Sequence, residues 1–402
     1  MKKRLFLWSI IVVGLFNQHL FAQLFTNYTT IEGLPSNTIC GGIAIDTANN
    51  KWFGTAAGVA KLSDSSWTVY TMTDGLLSDY INCIEVDINN NIWVASSEGV
   101  NKFDGNTWYS YTISDGLIDN DVKYITGDND GSIWFATFSG VSRLVDTIWT
   151  NFTSSEGLAS DLVNYIEIDK LGNKWFGTWM GGFCKYDNAT FTTFNAGDGL
   201  LDDNVSAIAI DKSNHKWIGT YYGISIFDES NIWTKNYADT NGLYNNIIQD
   251  IAVDTSGNIF VSVFADYLGE GGICVFNGIN WTTYTETDGL VNKIVKRIAV
   301  DRNENLWIAT GNGISMLAAQ TGIEKNSKKS EISIYPNPTK DLLYISHYKP
   351  ITVKIIDITG QIIYASELNS EKQIDVSNIV SGTYVVQIIN NEVISNNKLI
   401  IQ

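Results

Sequence analysis

Asp169-Lys170-Leu171-Gly172-Asn173-Lys174-Trp175-Phe176-Gly177-Thr178, DKLGNKWFGT in one-letter form, reads alone as a tight turn entering a strand. Asp and Asn close turns on their own backbone, and Gly relaxes them. The fold is decided by its recurrence. An Asp stands six residues before an aromatic at Asp46/Trp52, Asp87/Trp93, Asp128/Trp134, Asp169/Trp175, Asp211/Trp217, Asp254/Phe260 and Asp301/Trp307. Successive copies are 41, 41, 41, 42, 43 and 47 residues apart. An Ile precedes each Asp by three (Ile43, Ile84, Ile125, Ile166, Ile208, Ile251, Ile298), and a Gly-Leu pair opens each unit, from Gly33 to Gly289.

Each unit reads as four short strands. The first carries alternating apolar residues up to the Asp, as in Ile208-Ala209-Ile210-Asp211; the second is the Trp-x-Gly/Ala-Thr/Ser segment. The third is typified by Gly99-Val100-Asn101-Lys102-Phe103 and the fourth by Trp-Thr-x-Tyr. Four strands in about 42 residues match a propeller blade. One such sheet cannot cover both its faces, so it needs neighbours, and a closed ring supplies them. A buried Trp brings roughly 150–250 Å² of contact, or roughly 4–6 kcal/mol before entropy.

The fourth-strand markers Trp67, Trp108, Trp149, Phe191, Trp233 and Trp281 number six for seven units. Nothing of the kind follows Gly313-Ile314-Ser315-Met316-Leu317, whereas Phe25-Thr26-Asn27-Tyr28 precedes the first Gly-Leu. The expectation is an all-β, seven-bladed β-propeller over 23–319 whose N-terminal strand completes the last blade. The repeated Asp is read as a turn cap, with calcium binding at Asp128-Asn129-Asp130-Gly131-Ser132 as the weaker alternative.

Composition bounds the rest. The chain has 402 residues, 44% of them hydrophobic. Met1-Lys2-Lys3-Arg4, an apolar run from Leu5 to Phe16 and Leu20-Phe21-Ala22 form a signal-peptide pattern over 1–22, too short to span a bilayer comfortably. No later apolar run has membrane length, so an exported, soluble mature chain is expected, and a monomer. Residues 23–320 hold 15 Lys/Arg against 35 Asp/Glu, a surface that repels nucleic acid and anionic lipid. Counting back from Ile43 puts Cys40 where the other copies have Ile or Val, a buried apolar thiol; a Cys40–Cys83 bridge is the weaker alternative. No metal-ligand spacing and no cofactor motif appear.

Units such as Gly199-Leu200 … Asp211 … Lys216-Trp217-Ile218-Gly219-Thr220 … Gly223-Ile224 resemble the two-component regulator propeller repeat. The resemblance extends over 24–318 and implies a sensor-type propeller of the kind tied to polysaccharide sensing. No kinase or DNA-binding region follows the propeller, so signalling would need a separate chain. After a polar linker at 320–330 come Tyr335-Pro336-Asn337-Pro338, Asp357-Ile358-Thr359-Gly360-Gln361 and Gly382-Thr383-Tyr384 within alternating strands. By strand pattern residues 331–402 are a small β-sandwich. They resemble the type A sorting domain of the Por, or type IX, secretion system, which implies passage across the outer membrane to the cell surface or beyond.

Shared residues build a repeat scaffold, so function is sought where copies differ. The loop between the second and third strands is plain in units 1, 2 and 7. In units 3 to 6 it carries Phe138, Trp179 with Met180, Tyr221 with Tyr222, and a long segment with Phe264 and Tyr267. Two positions at the start of the first strand also vary: Gly41/Gly42, Asn82/Cys83, Lys123/Tyr124, Asn164/Tyr165, Ser206/Ala207, Gln249/Asp250 and Lys296/Arg297. The expectation is a shallow cleft over units 3 to 6. Its aromatic platforms are Phe138, Trp179, Tyr221, Tyr222, Tyr124 and Tyr165, and its polar groups Lys123, Asn164, Gln249, Asp250 and Arg297. Aromatic faces suit the CH face of a sugar, and amides or charges its hydroxyls; a non-enzymatic glycan binder is the leading reading. The alternatives are a protein-binding propeller and a carboxylate-based lyase or glycosidase using Glu85, Glu167 or Asp250. No histidine-based centre can be assembled, since His215 lies in a turn on the opposite face and His347 in the sorting domain.

Overall fold

The computed structural model describes residues 25–228, 233–238, 243–264 and 271–319, and, in a second compact unit, 333–335, 339–346, 351–357, 361–368, 373–390 and 393–401. The expected signal peptide and linker lie outside the described residues, as do Tyr267, His347 and parts of the Tyr-Pro-Asn-Pro and Asp-Ile-Thr-Gly-Gln motifs.

Residues 25–319 form seven antiparallel four-stranded sheets. Six are built from consecutive strands, for example Val163–Ile168, Lys174–Thr178, Phe183–Tyr186 and Phe191–Phe194. The seventh takes its outer strand from the other end of the repeat region: Phe25–Tyr28 pairs with Gly313–Leu317, Phe25 opposite Leu317 and Tyr28 opposite Ile314. The first strand of each sheet lies against that of the next, and Ile39–Ile45 lies against Val295–Val300, so the series closes on itself.

The repeated residues do recurrent work. Trp52, Trp93, Trp134, Trp175, Trp217 and Trp307 are all buried, as is Phe260. The Asp caps its turn: Asp169 Oδ1 accepts the amides of Leu171 (3.0 Å) and Asn173 (2.9 Å). Its second oxygen accepts the indole N–H of Trp175 at 3.0 Å, a bond repeated by Asp46, Asp87, Asp211 and Asp301. A lysine just before the tryptophan joins neighbouring sheets: Lys174 to Asp128 (2.6 Å), Lys216 to Asp169 (3.8 Å), Lys51 to Asp301 (3.2 Å). Burial alone would raise the Asp169 carboxyl, but hydrogen bonds from Asn173, Trp175 and Leu171 outweigh it and hold it below the usual range.

The Gly-Leu pair serves two needs. All seven leucines are buried between sheets. Gly199 sits at φ +119°, and a Cβ there would lie 2.5 Å from Trp233 Cδ1, so both backbone and space demand glycine.

The second unit has a three-stranded sheet (Ser333–Tyr335, Leu342–Ser346, Gln373–Asp375) and a four-stranded sheet including Ile351–Ile356 and Gly382–Asn390. One core joins them, with Leu343 and Ile374 from the first and Val353, Ile355, Val386 and Leu399 from the second. Tyr384 of the Gly-Thr-Tyr motif donates its hydroxyl to the Val380 carbonyl at 2.6 Å.

Candidate functional site

The device that positions the site is a break in strand register. In five sheets the first strand skips a residue against its neighbour, between Val122/Tyr124, Val163/Tyr165, Val205/Ala207, Ile248/Asp250 and Val295/Arg297. A bulge leaves one residue unpaired and re-aims its side chain. The skipped residues are Lys123, Asn164, Ser206, Gln249 and Lys296, and all five line one cavity of about 330 Å³. Asn82 takes the matching place in the second sheet, its amide bonded to the Ala95 carbonyl at 2.8 Å. Cys40, Tyr80, Trp179, Tyr221 and Arg297 complete the lining. Every one of the seven sheets contributes.

This corrects two expectations. The cleft was expected over four units, whereas the cavity stands at the hub, because the bulge recurs all round the ring. Cys40 was expected in the apolar interior, but Ile39 is the fully buried residue and Cys40 is half-buried in the cavity wall. The irregularity in the first sheet runs from Ile39 to Ile43, one residue longer than in the others, so counting back from Ile43 gave the wrong register. All four cysteines are free thiols, and no Cys40–Cys83 bridge is present.

Of the predicted site residues, Lys123, Asn164, Trp179, Tyr221, Gln249 and Arg297 line the cavity. Phe138 stands beside it, its ring 6.0 Å from that of Trp179 and 4.7 Å from Lys123 Nζ. Tyr222 is exposed at 66% and does not line it. Tyr124, Tyr165 and Asp250 fall outside the lining, one residue further along their strands. There they form a packed cluster with Arg297: the two tyrosine rings stack at 4.1 Å, and the guanidinium lies 5.4 and 5.8 Å from them. Asp250 is 3.9 Å from Arg297 Nη1, receives the Tyr165 hydroxyl at 3.4 Å and caps the Ile298 amide at 2.9 Å. Burial outweighs these partners and lifts its carboxyl; burial also pushes both tyrosine hydroxyls well up.

Glu85 and Glu167 lie on the first strands of the second and fourth sheets. Each keeps some accessible surface but is enclosed by protein, and burial lifts both carboxyls to about 8, the Glu167 charge adding to the shift at Glu85. Neither lines the cavity. His215 rests against Asp211, Nδ1 to Oδ2 at 3.0 Å, in the turn where it was expected. Among the described residues no group of three or more His, Cys, Asp or Glu is placed to hold a metal ion, and no helix is long and apolar enough to cross a membrane.

Sequence reasoning missed Cys40, Tyr80, Asn82, Ser206 and Lys296. Asn82, Ser206 and Lys296 were findable, since they share a repeat position with Lys123, Asn164 and Gln249. Tyr80 had no signal, because its loop position is unremarkable in the other copies.

The comparisons agree with this architecture. Residues 75–98 and 116–139 match the family model described as two component regulator propeller, and residues 333–402 match the secretion system C-terminal sorting domain. The latter implies export to the cell surface or beyond. No curated protein matches the chain by sequence. Among solved structures the chain is similar to the extracellular domain of a protein described as a hybrid two component system from B. thetaiotaomicron. The identity is 18% and the TM-score 0.66, over 94% of this chain and 57% of that one. It is similar also to PorZ, described as a surface component of the type-IX secretion system of Porphyromonas gingivalis: 17% identity, TM-score 0.57, 92% and 60% covered. A third is virginiamycin B lyase from Staphylococcus aureus, in a histidine-to-alanine form described as catalytically inactive: 13%, TM-score 0.60, 73% and 99% covered. At these identities the likeness is one of fold, a propeller, and the chain spans under two thirds of the first two.

Proposed function

We propose that the chain is an exported, non-enzymatic binding protein: a seven-bladed β-propeller sealed by its N-terminal strand, followed by a sandwich-type sorting domain, recognising a glycan at the cell surface or outside the cell. In this reading residues 1–22 are the signal peptide, and type IX machinery is met through residues 331–402. The observation that carries it is the hub cavity, where Trp179 and Tyr221 meet the amides of Asn82, Asn164 and Gln249. Flat rings with convergent amide donors and acceptors are what a sugar's two kinds of surface require. Support for binding over turnover comes from the lining, which holds neither carboxylate nor histidine, whereas the lyase of similar fold is inactivated by loss of a histidine.

The test is a glycan array probed with the full chain and with Trp179→Ala/Tyr221→Ala. The native chain should retain a defined set of glycans, and the double variant should lose it while keeping its unfolding midpoint to within about 1 kcal/mol of stability. Retention unaltered by the double substitution would remove the reading. A protein partner is the second reading, favoured by Met180 and Tyr222, which stand 73% and 66% exposed on the same two loops as Trp179 and Tyr221. Outer-membrane pull-down with Met180→Ser/Tyr222→Ser as control separates the two.

A further inference from the structure

Basic side chains are scarce among residues 23–320, with 15 Lys/Arg against 35 Asp/Glu. Three of them nevertheless line the hub cavity, Lys123, Lys296 and Arg297, and no carboxylate joins them there. Internal ion pairing uses up this charge only in part, since Arg297 faces the buried Asp250 at 3.9 Å. Lys123 is tied to Asp121 at 2.7 Å, in a part-exposed pair of the kind worth little in water. Lys296 is exposed and, among the described residues, has no ion pair. Arg297 is held in plane by the stacked Tyr124 and Tyr165 rings, and its Nη1 bonds the Gln249 carbonyl at 3.5 Å. Its Nε and Nη2 make no hydrogen bond within the protein and are not among its sealed polar atoms. A pre-oriented guanidinium with free donors beside an unpaired ammonium is the usual means of gripping a carboxylate or sulfate. In a concave wall the attraction is stronger than on open surface.

We infer that the cavity takes an acidic saccharide, its carboxylate or sulfate seated between Lys296 and Arg297 while Trp179 and Tyr221 face the sugar ring. This rests on the glycan reading above and adds the charge of the ligand to it. At about 330 Å³ the cavity stands at the small end of the ligand-pocket range of about 300–1,000 Å³. A terminal residue or short segment therefore fits better than a long chain. The net acidity of residues 23–320 disfavours anions on the repeat region as a whole, which sets the hub apart.

The experiment immobilises oligogalacturonates, chondroitin sulfate oligosaccharides and neutral xylo-, manno- and galacto-oligosaccharides, and probes them with the full chain, Lys296→Glu and Lys296→Arg. The exposed position of Lys296 leaves folding unaltered, checked by the unfolding midpoint. The expected result is retention on the uronate arm, the sulfate arm or both. That retention should fall at least about tenfold in Lys296→Glu and recover in Lys296→Arg. It should also weaken as salt rises from about 50 to about 500 mM. Retention of neutral glycans alone, equal in the native chain and Lys296→Glu, overturns the acidic-ligand inference and leaves glycan recognition standing. Retention of no glycan by the native chain overturns both.

Discussion

The two ends of the first strand in each sheet are about half a dozen residues apart and behave in opposite ways. At the far end stands an Asp in all seven copies; at the near end stand Cys40, Asn82, Lys123, Asn164, Ser206, Gln249 and Lys296. The Asp answers to several neighbours at once, since turn amides, an indole N–H and in three cases a lysine of the next sheet converge on one carboxylate. Any other residue would leave buried donors without a partner. The near end is released from the ladder by the bulge. Asn82, Asn164 and Ser206 use that freedom to bond the carbonyls of Val122 (3.0 Å), Val205 (3.3 Å) and Ile248 (2.6 Å) on the next sheet, whereas Lys123, Gln249 and Lys296 make no such bond among the described residues. Identity is enforced where many partners converge on one side chain, and variety collects where the strand ladder is interrupted.

Four measurements break or sharpen this contrast. The largest effect is expected at the seam, where Phe25 is 1% exposed and packs edge-on against Tyr284. Phe25→Asp buries a charge in the joint between chain ends and should cost above about 4 kcal/mol in denaturant unfolding; a cost near that of a surface substitution would mean the ring does not need its seal. Next comes the repeated carboxylate. Asp169→Ala strands an indole, turn amides and Lys216, and should cost about 3–5 kcal/mol. Asp254→Ala, in the sheet where Phe260 replaces the tryptophan, should cost about 1–2 kcal/mol less. Equal losses would deny the indole bond its part.

The third concerns pH. In the fold Glu85 and Glu167 keep their protons to about 8, whereas unfolded they lose them near the ordinary glutamate value of about 4.3. The folded state therefore holds more protons in that window, and stability falls as pH rises through it. Glu85→Gln escapes the Glu85 share of the loss, so its midpoint should gain on that of the native chain between about pH 5 and about pH 9. A constant gap would show that Glu85 ionises normally. The smallest effect belongs to the near-end side chains that bond no neighbouring sheet: Gln249→Ala and Lys296→Ala should each alter stability by no more than about 0.5 kcal/mol, and a larger loss would make these residues part of the scaffold.

Much of this was legible beforehand. Seven Asp/aromatic pairs foretold seven sheets, and a count of six fourth-strand markers foretold where the seventh strand comes from, since both depend on periodicity along the chain. The turn-capping role of the Asp was legible too, but not its indole bond, because a bond from Trp175 back across a hairpin is invisible until the strands pair. The candidate site was half legible. Trp179 and Tyr221 announced themselves as departures from plain loops, while Asn82 and Lys296 belong to units whose own loops are plain. Cys40 was misplaced by one residue, since an extra residue inside a bulge leaves every pattern around it intact.

The sequence by itself determined the repeat, the pairing of strands within each unit and the place where the ring is sealed, because these follow from spacing and from which residues can be buried. Only the tertiary structure decided that seven separate strand starts meet at one hub and that three scarce cations meet there with three aromatic rings. Convergence of that kind depends on how sheets are set against one another around an axis, and residues about 41 to 47 positions apart carry no local trace of it.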